Sequence, residues 1–204
     1  MGKVLADESK ENGISINLGP GGNLHRNILC GRHPEYYSED PILTGTLMAY
    51  QARGLEENGV IATYKHLIAN NMEFERKSAH GIIDENTLRD LYLRVFDKAF
   101  SLYKPGCVMT SYNPVNGIYP CENSALLNDL LRGEWGFDGF VMTDWGSYDT
   151  ADSIRSVCAG TNLLTPGSEK HFRMILKAVK RNEISKAALQ HSVKQIVKVL
   201  VRCI

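Results

Sequence analysis

The run Gly139-Phe140-Val141-Met142-Thr143-Asp144-Trp145 decides how this chain is read. Its apolar part shows no alternation, which predicts a strand covered on both faces, as in a parallel sheet. It ends abruptly in Thr143, Asp144 and Trp145, and ligands of parallel α/β folds gather at the carboxyl ends of strands. Four further runs have the same character: Ile14–Leu18, Val60–Tyr64, Cys107–Ser111 and, more weakly, Thr161–Leu164.

Helical patterns lie between these runs. Asp84 is placed to cap a helix through Leu88, Leu91, Tyr92, Val95, Phe96 and Phe100, which Pro105-Gly106 would end. A shorter helix runs from Ser124 through Leu126, Leu127, Leu130 and Leu131. Ser185 can cap one with Leu189, Val193, Ile196, Val197 and Leu200 on one face. Asp40 before Pro41 reads as a cap with proline at the first helical position. Strands alternating with helices predict parallel βα units, in a doubly wound sheet or a piece of a barrel. Gly19-Pro20-Gly21-Gly22 reads as a turn, since neither phosphate-loop spacing is present.

Composition excludes several classes. The chain has 204 residues, 43% hydrophobic and 23% charged, with 23 basic and 23 acidic side chains and a net charge of zero. That is ordinary for a globular protein, and argues against disorder, nucleic acid and a membrane surface as partner. No apolar stretch approaches the roughly 18 residues of a membrane span. Met1–Gly13 is polar, supplies no strand and carries no signal-peptide core, so the compartment leans to the cytoplasm. Cysteines at 30, 107, 121, 158 and 203 are odd in number and widely spaced; buried reduced thiols are expected, with no metal site.

The strand ends carry the candidate chemistry: Tyr64-Lys65-His66, Ser111-Tyr112-Asn113 and Thr143-Asp144-Trp145, with His25, Arg26, Arg32, Glu39 and Asp40 in the loop after the first strand. A carboxylate at the mouth of an apolar strand needs pairing, and Lys65 and Arg32 are the expected partners. A fixed carboxylate beside an indole suits a sugar site: the ring covers a pyranose face while the carboxylate attacks or stabilises the anomeric carbon. By position alone, Asp144 reads equally well as a helix cap. Lys65 and His66 are adjacent and point to opposite sides of a strand unless a bulge intervenes. Tyr112 and Met109 read as packing residues. Arg76, within Glu73-Phe74-Glu75-Arg76-Lys77, reads by default as part of a solvated loop.

Longer motifs carry a resemblance. They are Leu29-Cys30-Gly31-Arg32, Glu35-Tyr36-Tyr37-Ser38-Glu39-Asp40-Pro41, Lys65-His66 with Asn70-Asn71, Thr110-Ser111-Tyr112-Asn113 with Asn116-Gly117, and Leu131-Arg132-Gly133-Glu134-Trp135-Gly136-Phe137-Asp138-Gly139. In that order, from about Ile14 to the last helix, the chain resembles the barrel domain of glycoside hydrolase family 3, in its β-glucosidase branch. The resemblance implies a partial TIM-type barrel of about five parallel strand–helix units in residues 1–167, with a helical segment in 168–204 closing or following it. It implies a retaining hydrolase that removes a terminal β-linked glucose without metal or cofactor. Asp144 matches the family's nucleophile and Trp145 the aromatic wall of the first sugar subsite. Arg32, Lys65, His66 and Arg76 match residues that bind the glucose hydroxyls, and Tyr112 a tyrosine near the nucleophile. The N-acetylhexosaminidase branch is disfavoured, because Ile68-Ala69-Asn70-Asn71 stands where that branch has its Gly-His-Gly and Asp-Ser-His loop.

The family begins its barrel with further strands and places its acid/base on a second α/β domain, neither of which these residues supply. A partner domain is therefore expected, and an unclosed barrel is expected to expose strand edges and an apolar interior. Two other readings compete: a Schiff-base lyase built on Lys65, and an inactive fragment that only binds sugar or a partner chain.

Overall fold

The computed structural model describes residues 1–203, the side chain of Cys203 excepted, so Ile204 at the end of the 168–204 segment lies outside the described residues. The chain opens with α1 (Gly2–Glu11) and β1 (Ile16–Asn17), then α2 (Pro41–Glu56) and β2 (Ile61–Leu67). Helix α3 (Glu85–Thr87) continues through a π-helical segment, Leu88–Leu93, into α4 (Arg94–Leu102). After β3 (Cys107–Thr110) comes a second π-helical segment, Ala125–Glu134, and then β4 (Phe140–Met142). Helices α5 (Ser153–Ala159), α6 (Glu169–Lys180) and α7 (Lys186–Leu200) follow, and a 3₁₀ turn, Val201–Cys203, completes the described chain.

The four strands form one parallel sheet in the order β1-β2-β3-β4. Its two faces follow the period of two. Ala62, Tyr64, Val108 and Val141 face the large core under α2, α4 and the second π-helical segment. Ile61, Cys107, Met109, Phe140 and Met142 face the other way, against Val199 of α7. Both faces are thus apolar, which is why these strands read as unbroken hydrophobic runs.

Two expectations need correction. The fifth run does not form a strand: only Leu163 bridges Met142. The Asn162 side chain takes the Val141 N–H at 2.7 Å, replacing a ladder bond. The apolar interior is also not open. Ile61, Cys107, Met109, Phe140 and Met142 are each 4% exposed or less, because Ile16, Ile196 and Val199 pack over them. The sheet's flanks do stay exposed, at Ile14, Leu18 and Leu163.

Capping residues act as their types suggest. The side chains of Asp40, Asp84 and Ser185 accept from Leu43 N, Thr87 N and Ala188 N. The α1 helix has no apolar stripe in the sequence to mark it, since its buried face is Gly2, Ala6 and Ser9. Cys30, Cys107 and Cys121 are buried as expected, but Cys158 is exposed. No helix among the described residues is long and apolar enough to cross a membrane.

Two contacts lock the scaffold. Glu56, at the end of α2, accepts Gly106 N at 2.6 Å, Ala62 N at 3.2 Å and the Tyr103 hydroxyl at 3.0 Å, so one carboxylate ties α2 to the starts of β2 and β3. Where α2 crosses α4, a Cβ on Gly45 would stand 2.4 Å from the Val95 carbonyl oxygen. Glu56→Ala orphans a buried N–H and should cost about 1–3 kcal/mol in urea unfolding, against roughly 0.5 kcal/mol or less for the exposed Glu57→Ala. Gly45→Ala should cost about 1–3 kcal/mol by forcing the two helices apart.

Candidate active site

The site lies at the carboxyl end of the sheet, and the exit of β4 is held by threonines. Thr165 N donates to Thr143 Oγ1 at 2.9 Å, and Thr165 Oγ1 donates to the Thr143 carbonyl at 2.5 Å. Gly146, at φ +74°, lets the chain turn immediately after Trp145, and its N–H bonds the Thr165 carbonyl at 2.8 Å. Asp144 is therefore fixed in place and only 8% exposed, while Trp145 beside it is 53% exposed.

Asp144 Oδ1 accepts the Trp145 N–H at 2.7 Å. Its Oδ2 is buried and accepts no hydrogen bond among the described residues; His66 Nε2 stands 3.5 Å away. Burial pushes this carboxyl above its ordinary value of 3.8; the Trp145 N–H, the Tyr112 hydroxyl, Arg32 and Arg76 pull it down without cancelling that. Asp144 does not cap the next helix. Asp152 does so for α5, accepting from Ile154 N and Arg155 N.

The expected ion pairs to Asp144 are absent, and the reason is Glu35. Arg32 donates to Glu35 Oε2 at 2.7 Å, and Lys65 Nζ stands 2.5 Å from Glu35 Oε1. Glu73 takes Arg76 at 2.8 Å and lies 3.9 Å from Arg32. Burial pushes Glu35 up, but the hydrogen bonds and charges of Arg32 and Lys65 outweigh it and hold its carboxyl below the usual value.

Lys65 and His66 face the same cluster. The pairing of β2 with β3 shifts register between Tyr64 and Leu67, so strict alternation fails there. His66 is 1% exposed. Its Nδ1 lies 3.0 Å from Asn23 Oδ1, and its Nε2 lies 2.9 Å from Arg32 Nη2. These partners assign the proton to Nδ1, with Nε2 accepting from the guanidinium. Burial, then the charges of Arg32, Lys65 and Arg76, push the imidazole well below its ordinary value, so it is neutral.

Tyr112 is buried and donates to the Trp145 carbonyl at 2.7 Å; burial, then Asp144, pushes its hydroxyl up to about 12. The Arg76 guanidinium lies 4.5 Å over the Tyr112 ring, so its loop is tied to the site rather than left to solvent. All seven candidates, Arg32, Lys65, His66, Arg76, Tyr112, Asp144 and Trp145, thus belong to one network.

The sequence reading assigned no role to Asn23, Glu35, Tyr36, Asn70 or Glu73. Tyr36 and Asn70 extend the network, the tyrosine hydroxyl lying 3.2 Å from His66 Nδ1 and 3.3 Å from Asn70 Nδ2. One signal could have found the two glutamates: Arg32 and Glu35, like Glu73 and Arg76, are three residues apart. Among the described residues no three His, Cys, Asp or Glu side chains are grouped to hold a metal ion.

Known proteins share this arrangement of sequence and fold. Thermostable beta-glucosidase B of Acetivibrio thermocellus is 41% identical over 201 residues, which cover 98% of this chain and 26% of that protein. Probable beta-glucosidase J of Aspergillus fumigatus is 39% identical over 203 residues, 98% of this chain and 23% of that one. The structure of beta-glucosidase 3B from Thermotoga neapolitana in complex with glucose superposes with a TM-score of 0.94 at 40% identity, covering 98% of this chain and 29% of that one. The chain therefore spans about a quarter of the length of these relatives. The likeness makes the four parallel strands part of a TIM-type barrel. Residues 1–199 match the Glycosyl hydrolase family 3 N terminal domain, and the chain belongs to that family.

Proposed function

We propose that this chain is the nucleophile-bearing part of a retaining glycoside hydrolase that removes a terminal β-linked glucose. One observation carries the reading: Asp144 is fixed and buried, with one oxygen held by Trp145 N–H and the other uncommitted, beside an exposed indole. In such a site Oδ2 attacks the anomeric carbon and forms a glycosyl ester, which water then opens. The proton for the leaving aglycone would come from an acid/base on a second α/β domain outside these residues. Arg32, Lys65, His66 and Arg76 would bind the sugar hydroxyls, and the Trp145 ring would carry the apolar face of the pyranose. Tyr112 stays protonated at neutral pH and holds the Trp145 backbone. The likeness to β-glucosidases, one of them in complex with glucose, supports this substrate class. Against Schiff-base chemistry, Lys65 is committed to an ion pair with Glu35, whereas a Schiff-base lysine needs a free amine.

A fluorinated glucoside with a dinitrophenolate leaving group tests the nucleophile, because so good a leaving group needs no acid. Mass spectrometry should find the sugar on Asp144 and none on Asp144→Asn; labelling of another residue, or none, would refute the assignment. The labelling rate should fall with acid along a limb above pH 3.8, since the ionised form attacks and its pKa is raised. A poor alkyl leaving group should react about 10²–10⁴-fold more slowly on this chain than on a complete enzyme, from loss of the acid. Nitrogen-15 spectra at pH 6.5 should show His66 neutral and protonated at Nδ1.

A further inference from the structure

Three cations and three carboxylates share this site, and their pairing is uneven. Glu35 takes two cations, one on each oxygen. Glu73 takes Arg76 and approaches Arg32. Asp144 takes none, although its Oδ2 is buried and without a hydrogen bond among the described residues. The groups around Asp144 are His66 from β2, Tyr112 after β3, its neighbour Trp145, and Arg32 and Arg76 from the loops after β1 and β2.

We infer that Glu35 is a positioning residue: by holding Arg32 and Lys65 on its own carboxylate, it keeps Arg32 off Asp144 and fixes the two cations side by side for a ligand. The inference rests on the sugar-site reading only for the identity of that ligand. Lys65 has a four-carbon stem with rotatable donors, so its direction comes from its partner. The partner is well fixed. Glu35 ends a 3₁₀ turn, His33–Glu35, whose last N–H bonds the Arg32 carbonyl at 3.0 Å. Arg32 is locked from its other side by His66 Nε2 at 2.9 Å. Were Glu35 neutral, two partly buried cations would lack their counter-charge, and Arg32, whose charge already acts on Asp144, would have the unpartnered Asp144 Oδ2 as an acceptor besides Glu73 Oε1 at 3.9 Å. A carboxylate drawn into an ion pair is a weaker nucleophile, since the attacking lone pair is engaged. Glu35 and Asp144 thus divide two tasks that one carboxylate cannot do together.

The test is a carbon-13 titration of Asp144 in the whole chain, its resonance assigned with Asp144→Asn. Glu35→Gln removes one negative charge beside the two cations, which favours ionised Asp144, so its midpoint should fall by about one unit or more. Glu39→Gln, an exposed control, should leave it in place. Glu35→Asp keeps the charge but is too short to reach both cations, so it should give a smaller fall; it decides the matter if the glutamine variant does not fold. A merely stabilising role for Glu35 would leave the midpoint unchanged in folded Glu35→Asp, where the charge is kept, and that result, or a rise, would overturn the inference. Calorimetry with glucose as probe separates the two readings. Affinity about ten-fold weaker in Glu35→Gln supports the fixing of the cation pair. Equal affinity in variant and wild type would overturn that half. A wild-type chain that binds no glucose would count against the sugar site, while the titration still judges Glu35.

Discussion

Burying charge at the end of a parallel sheet is the constraint on which the site depends. An ion taken from water must find a partner or change its protonation state. Here the partners are distributed so that one carboxylate is left over. Arg32 and Lys65 go to Glu35, Arg76 goes to Glu73, and His66 is made neutral by its burial among cations. Among the described residues Asp144 keeps a single hydrogen bond, from the Trp145 backbone N–H. A buried oxygen without a partner is costly for the fold and useful for chemistry, and strain of that kind is found where a site must react or bind.

The scaffold sets these groups by packing rather than by loop flexibility. Asn23 grips His66 three times: it takes the backbone N–H at 3.0 Å, donates to the carbonyl at 2.9 Å and lies 3.0 Å from Nδ1. Asn71 donates to the Leu24 carbonyl at 2.5 Å, tying the loop after β2 to the loop after β1. The Thr143–Thr165 bonds fix the exit of β4. Beneath them, Glu56 joins α2 to two strand starts, and α7 covers the inner face with Val199. The partial barrel thus has a closed apolar interior, although its flanks remain open at Ile14, Leu18 and Leu163.

Family 3 membership and the geometry bear on different questions. Membership rests on residues 1–199 and on relatives of which this chain is about a quarter. The geometry says what this quarter holds: a carboxylate, an aromatic platform and a paired set of cations.

Much of this was legible in the chain before any coordinates. Apolar runs ending in Lys65-His66, Tyr112 and Asp144-Trp145 announced parallel strands with polar mouths, because strands covered on both faces have no reason to alternate. Asp40, Asp84 and Ser185 announced helix starts through their capping side chains. Those features are local, so local sequence determines them. The small-residue face of α1, the collapse of the fifth run to one bridge and the covered interior depend on distant neighbours. So does the pairing of charges. Arg32 and Lys65 lie 33 positions apart in the chain, and which acid they meet is decided by how the loop after β1 folds over the end of β2. Charge pairing is a property of distance in space, and only the tertiary structure supplies that distance.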